Sequence, residues 1–254
     1  MEILNRKLGE YGGLCVCYSG GADSAFLALA ARRALGGRAA AVLINGAMLR
    51  RRDFDGALRT AELIGIAPYI IEFDPFSVPE FRSNDKLRCY HCKKAMLTRA
   101  QAFAETLGIR HVADGRNADD SRAHRPGARA AAELGVVSPL AEAGMTKAEI
   151  REYSRALGLD TWDKPSNSCL ATRFPYDTVL TREDFEKAEA AENALAGLGV
   201  AGGRVRVHGG IARVEVPPVD FEAVIHSDLA RELKNLGFRY VTLDLEGFRS
   251  GSMD

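Results

Sequence analysis

No apolar run in this 254-residue chain approaches the roughly 18–20 residues a membrane helix needs, which excludes an α-helical membrane span. Charge of one sign is also missing. The 34 Lys+Arg balance the 34 Asp+Glu, which argues against a protein that coats nucleic acid. There is no internal repeat and no low-complexity tract. Cysteine is sparse and odd in number: Cys15, Cys17, Cys89, Cys92 and Cys169 are the five. With no signal peptide, an odd count does not make a secreted disulfide framework, so the expected location is the cytoplasm.

What is present is ordinary globular composition, 46% hydrophobic and 27% charged, in a chain long enough to bury its own core. Leu14–Tyr18, Ala40–Ile44 and Tyr69–Phe73 read as buried strands, with His111–Ala113 and Val136–Val137 as further ones. Helical patterns alternate with them: Ser24–Leu35 stopped by Gly36-Gly37, Phe54–Ile64, and a stretch with Met96, Ala100, Phe103 and Leu107 at helical spacing. Thr146 with Glu149 forms a capping box for a helix ending near Leu157. Strand–helix alternation implies a mostly parallel sheet covered on both faces, an α/β fold. After Gly158 the pattern changes. Asp160–Leu180 is polar, and Thr181 with Asp184 opens a helix to about Leu198. Arg204–His208 and Ile211–Val216 flank Gly209-Gly210 as a hairpin, before a helix near Phe221–Leu236 and a strand at Tyr240–Leu245. The expected division is residues 1–160 as a nucleotide domain. Residues 161–254 then hold a polar segment with one cysteine and a smaller C-terminal α+β domain.

Ser19-Gly20-Gly21-Ala22-Asp23-Ser24 stands between a strand and a helix. Two glycines let the backbone approach a phosphate, and the helix start aims unpaired N–H groups at the loop. Ser19 and Ser24 add hydroxyl donors, and Asp23 suits a divalent cation bridging phosphates. Asn45-Gly46 after the second strand and Asp114-Gly115-Arg116-Asn117 after the fourth fit a nucleotide cleft at the strands' carboxyl ends. Arg50-Arg51-Arg52 reads as a solvated charge run. No Walker-type GxxxxGK[ST] and no GxGxxG accompany the loop. The SGGADS segment resembles the PP-loop family of ATP pyrophosphatases, which implies cleavage of ATP between its α- and β-phosphates and activation by adenylylation.

Cys89 and Cys92 form the CxxC of Arg88-Cys89-Tyr90-His91-Cys92-Lys93-Lys94, and Cys169 lies in Ser168-Cys169-Leu170-Ala171-Thr172-Arg173. Two thiolates at a helix entrance suit a metal, a cluster or a redox disulfide, and Arg88, Lys93 and Lys94 nearby favour reactive sulfurs. A zinc site with His91 as fourth ligand and a [4Fe–4S] cluster with one open iron are both compatible with the spacing. Cys15 and Cys17 alternate in an apolar run and read as core filler.

Together these features resemble one PP-loop branch, the LarE family of ATP-dependent sulfur transferases. The segments SGGADS, RCYHCKK, DGRNADD, PSNSCLATRFPY, RVRVHGGIARVEV and YVTLDLEGFRSGSMD carry the resemblance over nearly the whole chain. It implies synthesis of the nickel-pincer nucleotide cofactor of lactate racemase. Carboxylates of pyridinium-3,5-biscarboxylic acid mononucleotide are adenylylated with Mg²⁺ and ATP, and sulfur displaces AMP to give thiocarboxylates. Cys89, Cys92 and Cys169 match the ligands of a [4Fe–4S] cluster in one branch; in another branch the residue at Cys169 sacrifices its own sulfur. Ser19, Gly20, Gly21, Asp23, Ser24, Asn45 and Gly115 are the implied nucleotide-binding positions. Cys169, Asp23, Arg173 and Glu192 are the implied catalytic ones, and Arg204 and Arg206 match residues near the substrate phosphate. A separate sulfide source and a homo-oligomer are further implications, with residues 161–254 as the sulfur-donor segment and the substrate-binding and oligomerisation domain. A tRNA thiolase is disfavoured by the neutral charge and the lack of an RNA-binding module. An ammonia-using ligase leaves the cysteines unexplained, and a zinc-stabilised nucleotide-binding module without catalysis is the non-enzymatic alternative.

Overall fold

The computed structural model describes residues 1–122, 126–165, 168–200, 202–249 and 251–253. Ser166, Asn167, Ser250 and Asp254, which carry part of the resemblance, lie outside the described residues. In chain order the elements are α1 (Glu2–Tyr11), β1 (Leu14–Cys17), α2 (Ala22–Leu35), β2 (Ala39–Asn45), α3 (Arg51–Ile64), β3 (Tyr69–Glu72), α4 (Pro79–Arg82), α5 (Arg88–Thr106), β4 (His111–Ala113), α6 (Pro126–Glu133), α7 (Pro139–Glu142), α8 (Lys147–Ala156), α9 (Arg182–Gly197), β5 (Arg204–His208), β6 (Ile211–Glu215), α10 (Phe221–Ile225), α11 (Leu229–Asn235) and β7 (Tyr240–Leu243). They fall into two compact units, Met1–Val78 with Leu87–Asn167, and Pro79–Lys86 with Ser168–Asp254.

The first unit is built on a four-stranded sheet in the order β3-β2-β1-β4, with every pairing parallel. Side chains alternate across a strand, so β1 feeds two cores. Leu14 and Val16 join Phe26, Leu27 and Leu43 under α1, α2 and α8, while Cys15 packs with Val42, Leu97, Ala100 and Val112 beneath α5 and α6. Helices on both faces are what a buried parallel sheet requires. The alanine-rich α2 is buried along most of its length, which lets it lie close against the strands. The strand expected at Val136–Val137 is an isolated bridge between Val137 and Ala113, because Pro139 begins α7 almost at once.

The second unit has a three-stranded sheet, order β5-β6-β7, with β5 and β6 antiparallel and β7 parallel to β6. Both expected capping boxes are present, Thr146 with Glu149 on α8 and Thr181 with Asp184 on α9. The single helix expected near Phe221–Leu236 is two, α10 and α11, separated at His226–Asp228. Residues 79–86 belong to this unit through specific bonds. The Asn84 side chain donates to the Pro175 carbonyl (2.7 Å), and the Leu180 N–H donates to the Arg82 carbonyl (2.8 Å). Phe81 meets Phe185 edge-on, with ring centroids 6.0 Å apart. Among the described residues, no helix is long and apolar enough to cross a membrane.

Candidate functional site

In the first unit β1 ends at the phosphate loop and α2 begins immediately after it. Gly21 is the extended N-cap residue of α2, so the helix's first N–H groups face the loop. Ser24 Oγ accepts the Ser19 N–H (3.1 Å) and lies 3.0 Å from Ser19 Oγ, closing the loop into a ring. Gly20 has φ of +67°, and a Cβ there would stand 2.4 Å from that of Ala57 on α3. Only glycine satisfies both the left-handed turn and the close packing.

A cavity of about 280 Å³ opens beside this loop, lined by Ser19, Gly21, Asp23 and Ser24 from the loop and α2 and by Asp114, Gly115, Arg116 and Asp120 from the segment after β4. Lys93 and Leu97 of α5 form another wall. Five expected nucleotide positions therefore come together. Gly20 contributes backbone packing instead, its carbonyl accepting Lys164 Nζ at 3.0 Å. Asn45 is drawn away from the cavity: its Nδ2 donates to both oxygens of Glu72 on β3, at 2.9 and 3.0 Å. Gly115 serves close approach to protein, since a Cβ there would sit 3.1 Å from the Ser24 nitrogen.

The cavity's acids are paired. Lys147 Nζ lies 2.6 Å from Asp23, and Lys93 Nζ lies 3.0 Å from Asp114. Asp114 also accepts from Ser138 (2.7 Å) and Arg116 (3.4 Å). Burial alone would raise the Asp114 carboxyl, but Lys93, Ser138 and Arg116 outweigh it and hold it below the ordinary carboxylate range. Lys147 escaped the sequence reading because it reaches Asp23 across 124 residues. Lys93 had a detectable signal, since it stands one helical turn after Cys89.

Several expectations need correcting. Lys93 is held by Asp114, and Lys94 by Glu133 (3.1 Å) and the Tyr90 hydroxyl (3.0 Å), so both cations are shared with oxygen partners. Cys17 is not plain core filler, because it lines the cavity; burial, then Cys15 and Asp114, push its thiol up to about 12. Cys15 is core as expected. Arg50 is not a solvated charge either. It is buried at the N-cap position of α3, with Nε 2.6 Å from Asp53.

Cys89 and Cys92 open α5, one exposed and the other buried, three residues apart. Among the described residues no group of three or more His, Cys, Asp or Glu side chains is arranged to hold a metal ion. The donor chemistry of the pair, two thiols one turn apart, suits a thiophilic metal or cluster.

No protein-family model matches the chain. It is 37% identical over 243 residues, 94% of its length and 88% of the relative's, to the pyridinium-3,5-bisthiocarboxylic acid mononucleotide synthase of Lactiplantibacillus plantarum. The chain belongs to the LarE family. That relative is an enzyme. An uncharacterized protein of Synechocystis sp. is 38% identical over 100% of the chain and 96% of its own length. Another, of Methanocaldococcus jannaschii, is 28% identical over 93% and 91%.

The second unit of this LarE-family chain carries Cys169, at the head of a short 3₁₀ turn, Leu170–Arg173. Its Sγ accepts the Ala171 N–H at 3.4 Å, where a capping oxygen commonly stands. Arg173 is fully buried and its Nη1 holds the turn, donating to Ser168 Oγ and Thr172 Oγ1 (2.7 Å each) and to the Cys169 carbonyl (3.3 Å). Its Nε and Nη2 reach Glu192 at 2.6 and 3.1 Å. Arg204 and Arg206 share one face of β5, as alternation predicts, but both are buried. Arg204 donates to the Gly202 and Gly203 carbonyls and lies 5.1 Å from the Phe248 ring centre. Arg206 holds Glu215 and the Thr172 carbonyl, at 2.9 and 3.0 Å.

Proposed function

We propose that this chain is an ATP-dependent sulfur transferase that makes pyridinium-3,5-bisthiocarboxylic acid mononucleotide from the corresponding biscarboxylate. The observation that carries the reading lies within the first unit. The phosphate loop and α5 wall the same cavity, and Cys89 stands one turn before Lys93 in that wall.

A carboxylate is a poor electrophile at neutral pH. In the proposed reaction its oxygen attacks the α-phosphorus of Mg²⁺-bound ATP, and the bond from that phosphorus to the bridging α–β oxygen breaks with release of pyrophosphate. Sulfur then attacks the acyl carbon, and the carbon–oxygen bond to AMP breaks. The start of α2 and the Ser19 and Ser24 hydroxyls bind phosphate oxygens. Asp23 exchanges Lys147 for the cation, and Lys93 moves from Asp114 to developing phosphate charge. The acyl-adenylate must be kept from water until sulfur reaches it. Arg173 and Glu192 hold the Cys169 turn; by the family resemblance Arg204 and Arg206 match residues near the substrate phosphate, and here Arg204 is buried on the Gly202 and Gly203 carbonyls and Arg206 on Glu215. By the family resemblance, Cys89, Cys92 and Cys169 would be the thiolates that hold a [4Fe–4S] cluster, and that group would supply the sulfide. The cluster, the separate sulfide source and the homo-oligomer are supported by family resemblance.

The test is anaerobic preparation with iron and labile-sulfide assays, a visible spectrum, and pyrophosphate release measured with and without the pyridinium biscarboxylate mononucleotide. Release dependent on that nucleotide, from iron-containing protein, is the expected result. An iron-free protein that turns over once and loses the elements of hydrogen sulfide at Cys169 would replace the cluster with a sacrificial cysteine. Absence of nucleotide-dependent release would overturn the function itself.

A further inference from the structure

We propose that Phe248, Ser252 and Met253 act as a strap that orders the Cys169 turn, with Ser252 as its positioning residue. The chain leaves β7 and turns at Gly247, where φ is +72° and a Cβ would meet the Val216 carbonyl oxygen at 2.9 Å. The Phe248 N–H then donates to that carbonyl (3.0 Å), and its ring lies against Arg204. Farther on, Ser252 Oγ donates to Glu215 Oε1 at 2.7 Å, and Met253 Sδ accepts from Arg213 Nη2 at 3.4 Å.

Glu215 is the point through which the strap acts. It is fully buried, and Arg206 and Arg213, directly opposed on β5 and β6, share it. Arg206 takes Oε2 at 2.9 Å, whereas Arg213 takes Oε1 at 2.8 Å. Arg206 also donates to the Thr172 carbonyl (3.0 Å), and Thr172 donates to the Cys169 carbonyl from its N–H (3.0 Å) and its hydroxyl (2.8 Å). A continuous series of polar contacts thus runs from Ser252 through Glu215, Arg206 and Thr172 to Cys169, all inside one unit.

Two arginines competing for one carboxylate leave its rotation weakly determined, because either guanidinium can engage both oxygens. The Ser252 hydroxyl removes that freedom by joining Arg213 on Oε1, and the two donors together keep Oε2 turned to Arg206. Without it the carboxylate turns toward Arg213, the more exposed partner, and Arg206 loosens its hold on the Thr172 carbonyl.

The experiment is hydrogen–deuterium exchange with mass spectrometry on the full-length protein, comparing peptides that cover 168–176 with peptides from α9. Ser252→Ala should accelerate exchange in 168–176 by about threefold or more, as expected for local opening. Ser252→Thr should restore the slow rate, and α9 should be unchanged in both. An unchanged rate in 168–176, in Ser252→Ala and in a chain ended at Phe248 alike, would overturn the proposal. So would equal acceleration throughout α9, or failure of threonine to rescue. That this turn carries the sulfur chemistry rests on the function proposed above, but the exchange rates do not. A response in exchange without nucleotide-dependent pyrophosphate release overturns only the function.

Discussion

Both units set cations against carboxylates, in opposite surroundings. At the phosphate loop, Lys147–Asp23 and Lys93–Asp114 border a cavity, and the lysine side chains keep 27% and 28% of their surface exposed. On the three-stranded sheet, Arg173–Glu192 and Arg206–Glu215 are sealed, with no member more than 5% exposed. A pair beside water contributes about 0–1 kcal/mol and can change partners at little cost. Breaking a sealed pair strands a charge away from water. The first arrangement suits acids and cations that must be surrendered to an incoming ligand. The second suits groups that hold a turn in one shape, which is how Arg173 treats Cys169.

The sharpest way to break this contrast is to remove one sealed carboxylate. Glu192→Ala should destabilise the protein by about 3–5 kcal/mol in urea unfolding, because Arg173 is left buried without its partner. A loss no larger than that of an exposed pair would erase the distinction. Next in size is Gly20→Ala, expected to cost about 1–3 kcal/mol from the Ala57 clash alone. An unchanged unfolding midpoint would mean that the loop can shift away from α3. Lys93→Ala should cost about 1 kcal/mol or less at neutral pH. Its signature lies in acid. The Asp114 carboxyl is held low, so its stabilisation is present above the ordinary carboxylate range and lost as pH falls through its folded value. Without Lys93 that loss should begin at a higher pH, which acid unfolding followed by circular dichroism would detect. The smallest effect concerns labelling alone. At pH 8 iodoacetamide should modify exposed Cys89 and spare Cys15 and Cys17, whose thiols are both pushed up to about 12. Peptide mass spectrometry showing Cys17 labelled as fast as Cys89 would mean its cavity wall is wetter than described.

Features whose partners lie within a few residues were legible in advance. The capping boxes Thr146/Glu149 and Thr181/Asp184 are reciprocal bonds across three positions, and the β5–β6 hairpin turns on adjacent glycines. The bond from Asn45 to Glu72 was not legible, because Glu72 comes 27 residues later on a neighbouring strand. Arg50 looked like one of three solvated charges, yet Asp53 and the start of α3 bury it. The break between α10 and α11 falls at His226–Asp228, where no proline or glycine marks it.

By itself, then, the order of amino acids determined an α/β unit with a phosphate loop at the first strand–helix junction, followed by a smaller α+β region. Periodicity, caps and glycine placement act locally, and they suffice for that much. Tertiary structure decided which charges face a cavity and which are sealed. It drew residues 79–86 into the second unit, made Cys17 part of a cavity wall, and set Arg173 and Arg206 against the Cys169 turn. Burial and ion pairing depend on partners tens to more than a hundred residues away, and no local pattern records them.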